Sequence, residues 1–454
     1  MLYNLKEEIM KKAISILLTL VMILSLAACS NKSKEETSTS VTPVVTDDSE
    51  NEAPVDASVE KSTITIWRGQ GTDDEEALYN AQIEAFNAQS ETTIVKYEVF
   101  PYNDFGTTVR AAISTDSLPE LIYGDGTEIG NLVFLESLAP LDEYLDDEFV
   151  SKYASSAFYK VDGKTYGVAQ QDGGLAFWAN KTYLDKAGVR IATYEEPWNK
   201  DEFLDALEKL QALDEVEYAI DMKLNWGTGY VVYAWQPIIK SLGADWYNND
   251  TIKATGALDG PAMVESMTFM KSLVDLGYIN ATQTIDTAFV DGVSALDLTG
   301  HWNYNDYSKA LGDALVLIPL PDLGNGSFTG VGGLPFSATT TASKNDTVDN
   351  CAEFIKFALG DQFQNQINDT NGSLPVMTEV LNSLPALQKG GPLYLYAQQL
   401  IGGKYAIRPV SPAFPTYQSE VGTAALDIFA GADIQETLTK AATAIDKVID
   451  ENGY

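Results

Sequence analysis

Thr63-Ile64-Thr65-Ile66-Trp67 opens the stretch whose order decides the fold. Its alternation and its β-branched residues predict a strand. Residues 74–89 follow, with Tyr79, Ile83 and Phe86 along one helical face. Ile94-Val95-Lys96-Tyr97-Glu98-Val99 predicts a second strand, and Phe105, Val109, Ala112 and Ile113 make the next helical stripe. Leu121-Ile122-Tyr123 predicts a third strand, ending at Gly124-Asp125-Gly126. Strand, helix, strand, helix, strand predicts a parallel sheet covered on both faces. Ligands in such α/β sheets collect at the carboxyl ends of the strands. Trp67-Arg68-Gly69-Gln70 and Gly124 to Glu128 are two such ends.

Beyond this segment the chain is richer in helices and aromatic residues from about 174 to 330. Phe203, Leu207 and Leu210 share a helical face, and Trp226, Tyr230, Tyr233 and Trp235 fall close together. Ala295-Leu296-Asp297-Leu298-Thr299 predicts a strand leading into Gly300-His301-Trp302. Leu315 to Leu320 predicts another, closed by Pro321. The chain ends on a helix marked by Leu438, Ala442, Ile445 and Val448.

Toward the N-terminus, Lys11-Lys12 precedes an apolar run, Ala13 to Leu26, of about 14 residues. That length suits a signal-peptide core and is too short for a ~30 Å hydrocarbon layer. Leu26-Ala27-Ala28-Cys29 resembles a bacterial lipobox, which makes residues 1–28 a signal peptide and Cys29 the lipidated residue. Met10 is an alternative start. Ser30 to Lys61 holds no aromatic residue, is rich in Ser, Thr, Asp and Glu, and contains Pro43 and Pro54. Such a composition predicts a disordered tether over 29–61.

Roughly 390 residues remain, enough for two sizeable lobes. The formal charge of −36 would repel phosphate backbones, so nucleic acid is excluded as a partner. The bland meaning of this charge is solubility. The chain has two cysteines and one histidine. With Cys29 committed to lipid, Cys351 is alone, which leaves no internal disulfide and no cysteine metal cluster. The single His301 removes most Ser-His, Cys-His and zinc chemistry. No cofactor is expected, and no metal.

Several loose motifs occur in a telling order. They are Pro119-Glu120-Leu121-Ile122-Tyr123 followed by Leu138-Ala139-Pro140-Leu141, then the hairpin Asp162-Gly163-Lys164-Thr165-Tyr166-Gly167-Val168. Phe177-Trp178-Ala179-Asn180-Lys181 comes next, with Leu184, Lys186, Ala187 and Gly188, then Pro197-Trp198 and Phe203. Ala295 to Trp302, Val331-Gly332-Gly333, Ser343-Lys344 and Leu374-Pro375-Val376 complete the series. From about 62 to 450 the chain resembles the extracellular solute-binding proteins of carbohydrate ABC transporters, the maltose-binding-protein family. The resemblance implies a two-lobed α/β fold of the periplasmic-binding-protein type. Each lobe is then a mainly parallel sheet flanked by helices, with ligand in the cleft between them. Three hinge crossings are expected near 171–174, 331–336 and 403–408. The N-terminal lobe is then 62–171 plus 336–403, and the C-terminal lobe 174–331 plus 408–454.

The resemblance also implies a binding lipoprotein rather than an enzyme. It is expected as a monomer on the outer face of a Gram-positive cell membrane, handing a neutral sugar or oligosaccharide to permease subunits. A non-sugar solute on the same fold and a lipid-anchored glycoside hydrolase are the alternatives. Sugar recognition needs aromatic faces against pyranose C–H faces and planar polar groups against hydroxyls. Trp302 follows the Gly-x-Trp motif at the position where the family stacks a sugar. Trp67 ends the first strand, Tyr230 and Tyr233 share a helical face, and Trp226 lies near them. The polar candidates are Arg68 and Gln70 on the first loop, Asp125 and Glu128 on the second, and Gln171 and Asp172 at the first crossing. Tyr417 is added on position. Gly124 stands where maltose-binding protein has an aromatic residue, and Thr127-Glu128 where it has an acid–base pair, so maltose itself is not the expected ligand.

Overall fold

The computed structural model describes residues 61–248, 251–406 and 411–452, all within the second of the chain's two units, Val59–Tyr454. The expected signal peptide, Cys29 and the tether up to residue 60 lie outside the described residues. Among the described residues no helix is long and apolar enough to cross a membrane.

Strand β1 (Ser62–Gly69) pairs in parallel with β2 (Thr93–Phe100) and with β3 (Leu121–Tyr123). The helix between β1 and β2 runs over Asp73–Gln89 and starts at a capping box. Thr72 Oγ1 accepts from the Glu75 amide, and the Glu75 carboxylate accepts from the Thr72 amide. Four acidic residues fill its first turn, where the helix dipole favours negative charge. β4 (Phe158–Val161) and β5 (Lys164–Ala169) form a hairpin turned at Asp162-Gly163, both with positive φ, the backbone that a tight primed turn demands.

β6 (Gln171–Asp172) leads out of this sheet into a second one. There β7 (Leu175–Asn180), β8 (Tyr218–Asp221), β9 (Ser294–Gly300) and β10 (Leu315–Ile318) lie in the order β10-β7-β9-β8. β11 (Thr329–Gly330) leads back, and β12 (Pro335–Ala338) completes the first sheet in the order β2-β1-β3-β12-β5-β4. β13 (Leu374–Pro375) pairs with β6, and β14 (Tyr405–Ala406) with β11.

The two mixed α/β sheets agree with the expected architecture, but they are not mainly parallel. β12 is antiparallel to β3 and β5, β4 is antiparallel to β5, and β7 is antiparallel to β9 and β10. Within these two sheets, among the described residues, only the pairings of β1 with β2 and β3 and of β8 with β9 are parallel. The cause is the connectivity. A tight hairpin forces β4 against β5, and β12 enters the first sheet from the second, against the sense of the strands already there.

The first two crossings meet through a bridge between Gly174 and Val331. Thr329 Oγ1 clamps them, accepting from the Leu175 amide at 2.8 Å and donating to the Leu175 carbonyl at 2.7 Å. Part of the third expected crossing, 407–408, lies outside the described residues.

β7 shows why two cores form around one strand. Leu175, Phe177 and Ala179 face a large core with the helices Lys200–Gln211, Thr228–Ser241 and Phe414–Phe429. Ala176 and Trp178, on the other face, pack with Leu393 and Tyr396. Residues 336–403, expected in the first lobe, divide between this core and that of the first sheet. Residues from 336 to 359 and from 376 to 380 pack around Ile64 and Leu121, whereas Leu374 and the helix Tyr394–Ile401 pack on the second sheet. The indole of Trp178 stands edge-on to Tyr396 with centroids 6.2 Å apart, and an aromatic face of that size must be covered wherever the chain can reach it.

Candidate functional site

Between the two sheets lies a cleft of about 1110 Å³. One wall is aromatic. The helix Thr228–Ser241 carries Tyr230 and Tyr233 on one face, as their spacing predicts. Trp226 precedes it, and Trp302 follows β9. The four rings form a continuous row, with centroid steps of 4.8 Å from Trp226 to Tyr230, 6.3 Å to Tyr233 and 6.4 Å to Trp302. All four line the cleft and are half-buried, so part of each ring faces the open volume.

Two of the rings are held by hydrogen bonds. Tyr230 donates to the Leu298 carbonyl at 2.7 Å, and Trp226 Nε1 donates to Asp286 Oδ1 at 2.8 Å. Trp302 is set by its approach to Gly300, where a Cβ would stand only 2.1 Å from the indole. Gly300→Ala is therefore expected to swing the ring out of the row and weaken ligand binding about tenfold, with a much smaller change in melting temperature. Calorimetry beside a thermal melt checks this, and retained affinity would show that the ring keeps its place by other contacts.

The opposite side of the cleft mixes polar side chains with apolar ones such as Phe105, Ile129 and Leu132. Asp125 Oδ1 accepts from the Thr127 amide at 3.0 Å and from its hydroxyl at 2.8 Å, while Glu128 accepts from Arg110 Nη1 at 3.1 Å. Gln70 is exposed on the rim. On the floor, Gln171 and Asp172 are buried at 5 % exposure each, and both border the cavity. Asp172 Oδ1 accepts from the Gly173 amide at 2.8 Å, and burial pushes its carboxyl above the usual range. Gln171 Oε1 has no partner, leaving an acceptor at the floor of the cleft. Gly124 also borders the cavity, and a Cβ there would meet Phe105 at 2.6 Å, so this chain leaves no room for an aromatic side chain at that position.

Three sequence candidates stand elsewhere. Trp67 lies on the face of β1 opposite Ile64 and Ile66 and is covered by Phe100 at 5.0 Å, which removes it from the cavity lining. Arg68 is 2 % exposed, forked onto Glu76 through both terminal nitrogens and packed against Tyr79 and Tyr97, which turns it into the fold and away from the cavity lining. Tyr417 is 1 % exposed in the second core and donates to the Ile252 carbonyl, because the helix turns its neighbours Gln418 and Ser419 to the cleft instead.

The sequence reading missed Glu75, Arg110, Asp286 and Asn371. Glu75 both caps its helix and accepts from Asn371 Nδ2 at 2.7 Å and Gln171 Nε2 at 3.4 Å. The capping box was a legible signal for Glu75. Asn371 and Asp286 reach the cleft from far along the chain, with no local signal.

The only histidine, His301, is 6 % exposed and borders the cleft. Its Nδ1 is 3.3 Å from Ser373 Oγ, and a Cβ on Gly173 would meet its ring at 2.0 Å. Burial holds its pKa down to about 4. The unfolded chain takes up that proton near the ordinary value of ~6.5, so this residue's contribution is present above pH 6.5 and is lost as pH falls toward 4. The loss amounts to about 3 kcal/mol at pH 4. His301→Gln is expected to flatten this part of the stability–pH curve, and an unchanged slope between pH 6.5 and 4 in chemical denaturation would contradict it.

Below the aromatic row lies a buried charge cluster. Lys223 is fully buried and reaches Asp221 at 2.9 Å and Asp297 at 3.1 Å. Tyr307 donates to Asp297 Oδ2. Burial pushes the Asp297 carboxyl up to about 7, against the pull of Lys223. Among the described residues no group of acidic, His or Cys side chains is placed to hold a metal ion.

A sequence-family model described as bacterial extracellular solute-binding protein matches residues 81–390. This chain belongs to that family. Curated relatives include a binding protein of Brucella abortus, 26 % identical over 199 residues, which are 43 % of this chain and 46 % of the relative. The chain thus spans about half the length of the first curated relatives it matches. A maltotriose-binding protein of Pyrococcus abyssi is 24 % identical over 346 residues, covering 74 % of this chain and 71 % of the relative. The GacH receptor of Streptomyces glaucescens, solved unliganded and with acarbose and an acarbose homologue, superposes with a TM-score of 0.73 at 21 % identity, covering 86 % of this chain and 99 % of that one. This likeness shows the two-lobed binding-protein fold. Membership of an extracellular solute-binding family places the protein outside the cytoplasm and makes it a binding protein by kinship.

Proposed function

We propose that this solute-binding protein captures a neutral oligosaccharide in the interlobe cleft and delivers it to a membrane permease of an ABC importer. The observation that carries the reading is the row Trp226–Tyr230–Tyr233–Trp302 facing hydrogen-bonding side chains across one cavity. Pyranose rings present apolar faces and an equatorial belt of hydroxyls, and this pairing of walls suits both. A row of four rings and a volume of about 1110 Å³ favour several sugar units over one, since drug-sized ligands fill roughly 300–1,000 Å³.

The acids offer acceptors for sugar hydroxyls, and the polyamines of the thermal-shift panel test the cationic alternative that their charge also suits. Asp125, Asp172 and Asp286 accept from neutral donors and Glu128 from Arg110, and a carboxylate has about four acceptor sites to share with a hydroxyl. The Pyrococcus relative is named for maltotriose, and the Streptomyces receptor was solved with acarbose, a further reason to test α-glucan fragments first. Ligand bridging the lobes stabilises a closed state that the permease recognises, a hinge mechanism general to such binding proteins. The lobes meet at the crossings 171–174 and 331–336. Cys29 carries the lipid, and the segment to residue 61 tethers the monomer near its permease, raising the effective concentration. No bond is made or broken.

A thermal-shift panel of maltotriose, longer maltodextrins, acarbose, other neutral oligosaccharides and polyamines tests the reading. A neutral oligosaccharide raises the melting temperature and is recovered intact, as a ligand that binds only the native state must do. Stabilisation by amines alone, or release of shorter sugars, overturns it.

A further inference from the structure

Lys223 is the one fully buried lysine among the described residues, and nothing in ligand capture by the aromatic row accounts for it. It sits in the left-handed region at φ 51°, directly before the short turn Leu224–Trp226. Its ammonium has three donors and uses them on three elements. Nζ reaches Asp221 Oδ2 at the end of β8 at 2.9 Å, Asp297 Oδ2 in β9 at 3.1 Å, and the main-chain carbonyl of Asp286 at 2.9 Å. It also stands 5.6 Å from the centroid of the Trp226 indole.

Of these partners, Asp286 borders the cleft. Asp286 takes Trp226 Nε1 and Asn225 Nδ2 on its own carboxylate, at 2.8 Å and 2.5 Å. Another leads to the other end of the row, because Asp297 accepts from Tyr307, which stands on the helix Tyr304–Leu311 that follows Trp302. One buried cation therefore ties the loop bearing Trp226 to the loop bearing Asp286, and through Asp297 to the segment bearing Trp302. Neither Trp226 nor Asp286 lies in a strand, so local hydrogen bonding alone does not set their distance from Trp302.

We propose that Lys223 is a positioning residue for the ligand site, setting the spacing between the Trp226–Asp286 end of the cleft and the Trp302 end without touching ligand. An ammonium suits this role better than an apolar side chain, since it can direct bonds to three acceptors on three elements. The burial that makes it costly also ensures that any loss of a partner is felt. The proposal rests on the reading of the cleft as the ligand site.

The test uses the full chain with Lys223→Met, and with Lys223→Met/Asp297→Asn, which keeps the net charge of the cluster unchanged should the single variant fail to fold. Amide hydrogen exchange needs no ligand. The expected result is at least tenfold faster exchange in 224–230 and 285–288, with exchange in the first sheet, 62–69 and 121–123, unchanged. Equal exchange in those loops for the folded variant and the parent overturns the proposal. Maltotriose serves as the binding probe, with Trp302→Ala beside it. Affinity lowered at least tenfold by the Lys223 variant supports positioning, whereas Trp302→Ala alone lowering it sinks the proposal and leaves the cleft reading standing. If neither variant changes maltotriose affinity, or the parent does not bind it, the exchange result alone decides the role of Lys223 and the reading of the cleft fails separately.

Discussion

Trp302→Ala is expected to weaken binding of the preferred oligosaccharide roughly thirtyfold, about 2 kcal/mol, with the melting temperature of the free protein lowered by only a few degrees. Trp302 is half-buried, lines the cleft, and ends the aromatic row 6.4 Å from Tyr233. Removing it takes away a large apolar face that a sugar ring would cover, and central aromatic anchors of this kind commonly cost 2 kcal/mol or more on truncation. The folded protein loses less, because much of that face is already open to the cleft. Calorimetry with the sugar that gives the largest thermal shift measures the first effect, and a melt without sugar measures the second. Unchanged affinity with a large loss of stability would assign Trp302 to the wall alone and move the stacking role to Tyr230 and Tyr233.

Glu76→Leu is the converse case, a stability effect of roughly 3 kcal/mol, since removing one partner of a buried pair strands the other charge. The stranded group is the Arg68 guanidinium, 2 % exposed between the rings of Tyr79 and Tyr97. Denaturant unfolding at pH 7 measures the cost, and Arg68→Met/Glu76→Leu should recover most of it. The pair also has a pH signature. Burial raises the Glu76 pKa, but the Arg68 fork and the Gly71 amide outweigh it and hold the carboxyl below its usual value. A depressed carboxylate contributes stability above its unfolded pKa and loses it as pH falls through the folded one, so the penalty of Glu76→Leu should shrink in acid. A penalty that is the same at pH 7 and pH 3, or binding that falls as far as in Trp302→Ala, would return Arg68 to the ligand site.

Arg68 also marks where a sequence reading loses its grip. At the end of a strand, beside a Gly and a Gln, it looked like a group aimed at ligand. The alternation of β1 was legible, with Ile64 and Ile66 on one face. Which neighbours would cover each face was not, because Glu76, Tyr97 and Phe100 arrive from other elements. The same reason removed Trp67 from the cleft. Tyr417 failed on a helix, where one position of rotation, about 100°, separates a core residue from Gln418 at the cavity.

Local order was legible because it is written in local chemistry. The alternation of residues 63–67, the stripe of Tyr79, Ile83 and Phe86, the capping box at Thr72 and Glu75, and the turn at Asp162-Gly163 each describe a few consecutive residues and needed no partner to be read. So did the spacing of Tyr230 and Tyr233 and the Gly300-x-Trp302 step, which put three of the four cleft aromatics on the page. The tertiary structure alone decided the rest. Antiparallel insertion of β12, the packing of the helix Tyr394–Ile401 on the second sheet, the reach of Asn371 to Glu75 and the anchorage of Lys223 to Asp286 and Asp297 all join residues tens to hundreds of positions apart. Such pairings are chosen by the burial of whole faces and the satisfaction of buried donors, and no short stretch of sequence contains both sides of either.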